Sequence, residues 1–331
     1  MNKWTAILWG MLLFSCGNDN TTQKQRFLIR GNEALRQQNY REARRFYNEA
    51  INLDSCYSPA INNLGIVLFE QGAYGQAVLQ YERAMICDPG YMDAYINRAN
   101  AFYELKEFYR SLDDLQYVER ELPDSAAVHF MKGLVFTQMR KYDDAIIAFN
   151  RAIQLDSLNA ESWINRGTVY YYLTDYQKAQ SDLDKALLLD TFEPNAYNAL
   201  ALVEVERGNY DQALTFVNKA LDFEPGQPYF LNNRGFIYLL QGEYSQARAD
   251  IDRSITVDPT NAWAYRNKGW YYFHQGEYTE AIRLLQQALK MDPYIDRGHL
   301  FLAKAYFANG QQTEACEELK ASSYPAPDLP C

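Results

Sequence analysis

The chain has 331 residues, 48% of them hydrophobic and 15% aromatic, which is enough apolar surface for a folded protein. Its net charge is −10, and the 32 Lys and Arg are spread along the chain instead of massed in blocks, so no basic footprint for nucleic acid is expected. The three histidines, His129, His274 and His299, lack metal-ligand spacing, and neither a phosphate-cradling glycine loop nor a GxSxG elbow occurs, so no metal, cofactor or catalysis is expected.

Met1–Cys16 reads MNKWTAILWGMLLFSC, with Lys3 before the apolar run Trp4–Phe14. That run is too short to span a bilayer but suits a signal peptide. Its end, Leu13-Phe14-Ser15-Cys16, resembles the bacterial lipoprotein signal. The resemblance implies a signal peptide over 1–15, cleavage before Cys16, and acylation of Cys16, where several acyl chains give stable membrane anchoring. The alternative is an ordinary signal peptide with a chance Cys. Residues 16–23 then form a polar tether, and Asn18, in place of an Asp, favours the outer membrane facing the periplasm, with the cell surface left open.

From Lys24 to about Leu329 the chain repeats every 34 residues, with copies starting near 24, 58, 92, 126, 160, 194, 228, 262 and 296. Each copy splits into two amphipathic segments with apolar residues at i, i+3, i+4 and i+7. One column is small throughout: Gly31, Gly65, Ala99, Gly133, Gly167, Ala201, Gly235, Gly269 and Ala303. A second small column runs from Ala43 through Ala77 and Ser111 to Ala315, and an aromatic column from Tyr40 to Tyr278 breaks only at Gln312. Small side chains let two helices approach closely while larger neighbours fill the grooves. Asp54, Asp88, Asp156, Asp190, Asp258 and Asp292 lie in the turns between copies, where capping of helix starts is expected.

These columns resemble the tetratricopeptide repeat family over roughly nine tenths of the chain. The resemblance implies an all-α, right-handed superhelical solenoid of about nine helix–turn–helix repeats. First helices would line a concave groove, second helices would lie outside, and nine repeats would complete about one turn.

Arg98 with Asp114, Arg166 with Asp182, and Arg234 with Asp250 recur 16 residues apart in copies three, five and seven, and read as ion pairs between the helices of one repeat. Besides Cys16, the cysteines Cys56, Cys87, Cys316 and Cys331 allow three disulfide pairings. Cys316–Cys331 is the preferred pair, since the proline-rich tail 323–331 could fold back over the end of the solenoid. Free thiols are the alternative.

Asn63, Asn97, Asn165, Asn233 and Asn267 stand two positions before the small column. In the family this position faces the groove, and an amide there offers donor and acceptor together to the backbone of an extended peptide; bonding to neighbouring helices alone is the alternative. Tyr103, Tyr171, Phe236, Trp263, Trp270 and Phe273 are expected beside them, with Arg266, Arg297 and Lys304 as a basic trio for a carboxylate. The resulting expectation is a membrane-anchored scaffold or adaptor binding a protein or peptide partner in the cell envelope. A glycan-binding module and a purely architectural subunit are the alternatives.

Overall fold

The computed structural model describes residues 20–331, so the expected signal peptide, the lipidation site Cys16 and the first part of the tether lie outside the described residues. Among the described residues there are 18 helices and no strand. They are α1 (Asn20–Arg36), α2 (Tyr40–Leu53), α3 (Ser58–Glu70), α4 (Tyr74–Cys87), α5 (Met92–Glu104), α6 (Phe108–Glu121), α7 (Ala126–Gln138), α8 (Tyr142–Leu155) and α9 (Ala160–Tyr172). There follow α10 (Tyr176–Leu189), α11 (Pro194–Glu206), α12 (Tyr210–Phe223), α13 (Pro228–Gln241), α14 (Tyr244–Val257), α15 (Ala262–His274), α16 (Tyr278–Met291), α17 (Gly298–Ala308) and α18 (Gln312–Ala321). Odd-numbered helices are the first and even-numbered the second of each repeat, so the expected all-α repeat fold is present. α1 starts at Asn20, so the end of the expected tether is helical. Contacts divide the chain into two compact units, one ending at Lys141 with α1–α7 and one of Tyr142–Cys331 with α8–α18.

Inside every repeat the turn passes through one left-handed residue. In five repeats it is glycine, Gly72, Gly208, Gly242, Gly276 and Gly310, at φ between 73° and 80°. In the other four it is Gln38, Lys106, Arg140 or Thr174, at φ between 56° and 61°. The next N–H then folds back on the helix, as where Ala73 donates to the carbonyl of Leu68 at 2.9 Å, and this satisfies a carbonyl that the helix end leaves open.

Between repeats the aspartates act differently from the expected helix-start caps. Each sits at or just beyond the end of a second helix and accepts from the N–H two residues on: Cys56 to Asp54, Gly90 to Asp88, Leu158 to Asp156, Phe192 to Asp190, Thr260 to Asp258 and Tyr294 to Asp292. The short side chain reaches its own turn before it reaches the following helix. Helix starts are capped instead by Asn39, Ser125, Asn159, Asp175, Gln227 and Asn261. A further lock closes several of these turns from the next first helix. Tyr95, Trp163 and Tyr197 each donate to the carbonyl six residues earlier, and a ring nitrogen of His129 and of His299 meets the matching carbonyl.

The small column does the packing expected of it. A Cβ on Gly31 would lie 2.4 Å from the Tyr47 ring, and one on Gly65 would lie 2.5 Å from that of Tyr81. Both tyrosines are fully buried, so the glycines admit a large ring between paired helices.

Candidate binding surface

The asparagines of the first helices are joined to one another. Asn97 Nδ2 donates to Asn62 Oδ1 at 3.0 Å, Asn233 to Asn198 at 2.9 Å and Asn267 to Asn232 at 2.8 Å, each partner standing 35 residues earlier. Asn63 donates to Asn32 at 2.8 Å, whereas Asn165 donates to the carbonyl of Glu161 in its own helix. Four of these five amides thus clip successive first helices together, Asn165 excepted. Asn267 is fully buried and belongs wholly to this network. Asn63, Asn97, Asn165 and Asn233 are half-buried, and a primary amide with two donors and two acceptor lone pairs retains capacity beyond one such bond. The accepting partners were not singled out from the sequence, although the doublets Asn62-Asn63 and Asn232-Asn233 were a visible signal.

The aromatic residues are mostly spent on packing. Trp270 stacks against Phe273 at 4.5 Å and against Phe301 at 4.0 Å, with interplanar angles of 6° and 11°. Phe236 is buried. The Arg266 guanidinium lies 4.9 Å from the Phe236 ring and 4.7 Å from that of Trp263. Tyr103 is half-buried, edge-on to Phe108 at 6.0 Å. Tyr171 stands near Glu206, Asp296, Arg297 and Arg266, and burial pushes its hydroxyl well above the usual tyrosine range.

In the basic trio each cation meets a carboxylate of the chain itself. Arg266 is 2% exposed. Its Nη1 donates to the Asp296 carbonyl at 2.7 Å, and its Nε and Nη2 donate to Asn267 Oδ1 at 3.0 and 2.7 Å. Burial lowers its pKa to about 10 while the Asp296 charge opposes, so it stays charged at neutral pH. Arg297 donates to both carboxylate oxygens of Glu206, and Lys304 donates to Asp328 at 2.7 Å. The Tyr324 hydroxyl donates to Asp296 Oδ1, which ties the tail to the same cluster. A buried cation without a nearby anion is costly, and the chain has supplied its own anions.

The three arginine–aspartate pairs are present and bidentate. Arg98 Nε and Nη2 lie 2.8 and 2.7 Å from the Asp114 oxygens, with 2.7 and 2.7 Å for Arg166–Asp182 and 2.6 and 2.9 Å for Arg234–Asp250. Nη1 of each reaches one helix further back, to Glu82, Asn150 or Asn218.

Two disulfides pair all four cysteines of the described residues. Cys316–Cys331 is the preferred pair, and Cys56–Cys87 joins the ends of the first two repeats. The tail folds back as expected, with Ala326 and Leu329 buried against Ala303, Leu300 and Leu319.

Profiles of the tetratricopeptide repeat match residues 30–92 and 96–160, residues 158–223 and 229–293, and residues 272–330. The chain belongs to the tetratricopeptide repeat family. Anaphase-promoting complex subunit 3 of Schizosaccharomyces pombe is 29% identical over 110 residues, covering 33% of this chain and 16% of that protein. A UDP-N-acetylglucosamine–peptide N-acetylglucosaminyltransferase of Giardia intestinalis is 25% identical over 129 residues, covering 38% of this chain and 8% of that protein. The chain thus spans a small part of either relative, and no enzymatic activity carries over from so short a match. Among solved structures, the APC/C hetero-tetramer Cut9-Hcn1 aligns with a TM-score of 0.60 at 19% identity, covering 85% of this chain and 55% of that one. The human IFIT1 dimer with m7Gppp-AAAA aligns with a TM-score of 0.58 at 18% identity, covering 80% and 67%. These likenesses show the fold. The tetratricopeptide repeat is a scaffold for protein–protein interaction, and that is the class of work this chain belongs to.

Proposed function

We propose that this tetratricopeptide repeat protein is a lipid-anchored scaffold of the bacterial cell envelope, at the outer membrane facing the periplasm, that holds an extended segment of a partner protein. The observation that carries the reading is cysteine usage. Of five cysteines, four are paired in disulfides, and the fifth is Cys16 of the lipoprotein-like signal. Persistent disulfides suit an oxidising compartment outside the cytosol, and the remaining thiol stands where acylation requires it.

The partner's segment lies along the first helices α3 and α5, against Asn63, Asn97 and Tyr103. There the amides are half-buried and Arg98 of α5 is turned onto Asp114 of its own second helix, whereas α11, α15 and α17 have their charges neutralised internally. Glycan binding is the weaker reading, because Trp270 and Phe236 are already packed and offer no free stacking platform.

The test has two arms. Mass spectrometry of the protein from envelopes should find an acylated Cys16 at the mature N-terminus, and an unmodified Cys16 would sink the anchor. Crosslinking in envelopes should capture a partner with the wild type and lose it with Asn97→Ala/Tyr103→Ala while circular dichroism stays unchanged. The same partner at the same yield from the variant would place the contact elsewhere.

A further inference from the structure

Charge is distributed unevenly between the span of α1 and α2 and the rest of the chain. Residues 20–53 carry seven Lys and Arg against three Glu, a net +4, while the whole chain is −10, so the remainder carries −14. Six of these cations, Arg26, Arg30, Arg36, Arg41, Arg44 and Arg45, are exposed on α1 and α2. Arg45 pairs with Glu42 at 2.8 Å, whereas Arg26, Arg30 and Arg41 have no carboxylate partner among the described residues.

Comparison with the later repeats shows why Arg30 is free. It occupies the position of Arg98, Arg166 and Arg234, each held by an aspartate on its own second helix and by a polar group one helix further back. In the first repeat the aspartate position is Phe46, and among the described residues no helix precedes α1. The guanidinium groups of Arg30 and Arg45 instead lie 5.9 and 4.6 Å from the Phe46 ring, which stacks on Phe27 at 6.4 Å. Ile29 stands where Asn63, Asn97, Asn233 and Asn267 reach back to the preceding repeat, and it is 63% exposed. A cationic rim around the exposed Ile29, with the half-buried Phe27 and Phe46 beside it, is what an interfacial lipid surface selects.

We infer that this free face of the first repeat, carrying Arg26, Ile29, Arg30 and Arg45, docks on an anionic phospholipid headgroup surface. The inference rests on the anchor reading for its location. Cys16 is four residues before Asn20, a reach of at most about 14 Å, so an acylated Cys16 holds this face within a short distance of the bilayer. The lipid chains then supply retention, and the arginines fix which face of the protein meets the membrane.

The experiment uses the full chain carrying Cys16→Ser, so that acylation plays no part, in flotation with two kinds of vesicle. One kind is phosphatidylcholine alone and the other is phosphatidylcholine mixed with phosphatidylglycerol. Any insertion of the apolar N-terminal run is common to both kinds, and the difference between them is the readout. Binding to the phosphatidylglycerol vesicles should exceed the other by on the order of 30-fold at low salt, since the unpaired Arg26 and Arg30 each contribute about fivefold near an anionic surface, and it should fall as salt rises. Arg26→Glu/Arg30→Glu/Arg45→Glu should abolish the preference. Arg248→Glu/Arg253→Glu/Arg283→Glu, equal in charge change but in the second unit, should retain it. A wild type with no preference, or a first-repeat variant that keeps it, overturns the inference. Absence of acyl chains on Cys16 in cells would defeat the anchor reading and leave this vesicle result standing.

Discussion

Nη2 of Arg297 lies 2.8 and 2.7 Å from the two carboxylate oxygens of Glu206, although the residues are 91 positions and three repeats apart. The bridge joins α11 to the residue before α17 and stands beside Arg266 and Asp296. Both side chains are mostly buried, so removing Glu206 leaves Arg297 with only the Asp296 carboxylate, 3.8 Å from its Nε and shared with Arg266. Glu206→Ala should therefore cost about 3 kcal/mol in urea unfolding. Arg297 has φ of 55°, a conformation that glycine adopts freely, so Glu206→Ala/Arg297→Gly should recover more than half of that loss. A single variant as stable as wild type would show that the bridge contributes nothing.

The arginine–aspartate pairs give a second case with a sharper internal control. Asp182→Ala orphans Arg166, whose Nη1 still touches Asn150 at 2.6 Å, and should cost about 3 kcal/mol. Replacing both members, Arg166→Met/Asp182→Leu, should return stability to within about 1 kcal/mol of wild type, because well-packed apolar side chains replace a pair whose desolvation offsets most of its attraction. Equal destabilisation by the single and double variants would mean that the pair stabilises the repeat outright.

Gly65→Ala tests the close approach of α3 and α4. The added methyl would meet the Tyr81 ring, which is fully buried and cannot swing aside, so a loss of about 1–3 kcal/mol is expected. Gly65→Ala/Tyr81→Leu should lose less than the single variant, because the third repeat already packs this pair, with Ala99 and Leu115 both fully buried at the equivalent positions. Calorimetric midpoints of the three proteins decide it.

What the sequence revealed follows from how local each relationship is. The helix pairs, the small column and the Arg98–Asp114 type of pair were legible because both partners lie inside one 34-residue copy and recur in others. The Glu206–Arg297 bridge was not, since its members occupy non-equivalent positions and meet only through the stacking of several repeats. For the asparagines a ligand role and a bond to a neighbouring helix both stood open, because position alone does not tell whether the neighbouring repeat supplies an amide. Asn97 finds Asn62 and Asn267 finds Asn232, but Asn165 finds only its own helix. The inter-repeat aspartates were misread for a shorter-range reason: the N–H two residues ahead competes successfully with the helix start.

Thr174 offers the prediction least dependent on tertiary contacts. It holds φ of 59° at the turn where five other repeats place glycine, and it is β-branched, so its Cβ crowds the neighbouring backbone at that φ. The left-handed conformation costs an L-residue about 1–2 kcal/mol, while glycine gains unfolded-state freedom worth roughly 0.5–1 kcal/mol in the opposite direction. Thr174→Gly should therefore stabilise the protein by about 0.5–1 kcal/mol, the residual between the two effects. Gly208→Thr, the reverse change at the equivalent turn of the next repeat, should destabilise by a similar amount, because its φ of 78° is equally left-handed. Urea midpoints that move in the same direction for both variants would refute the strain account, since backbone conformation is the one property the two turns share.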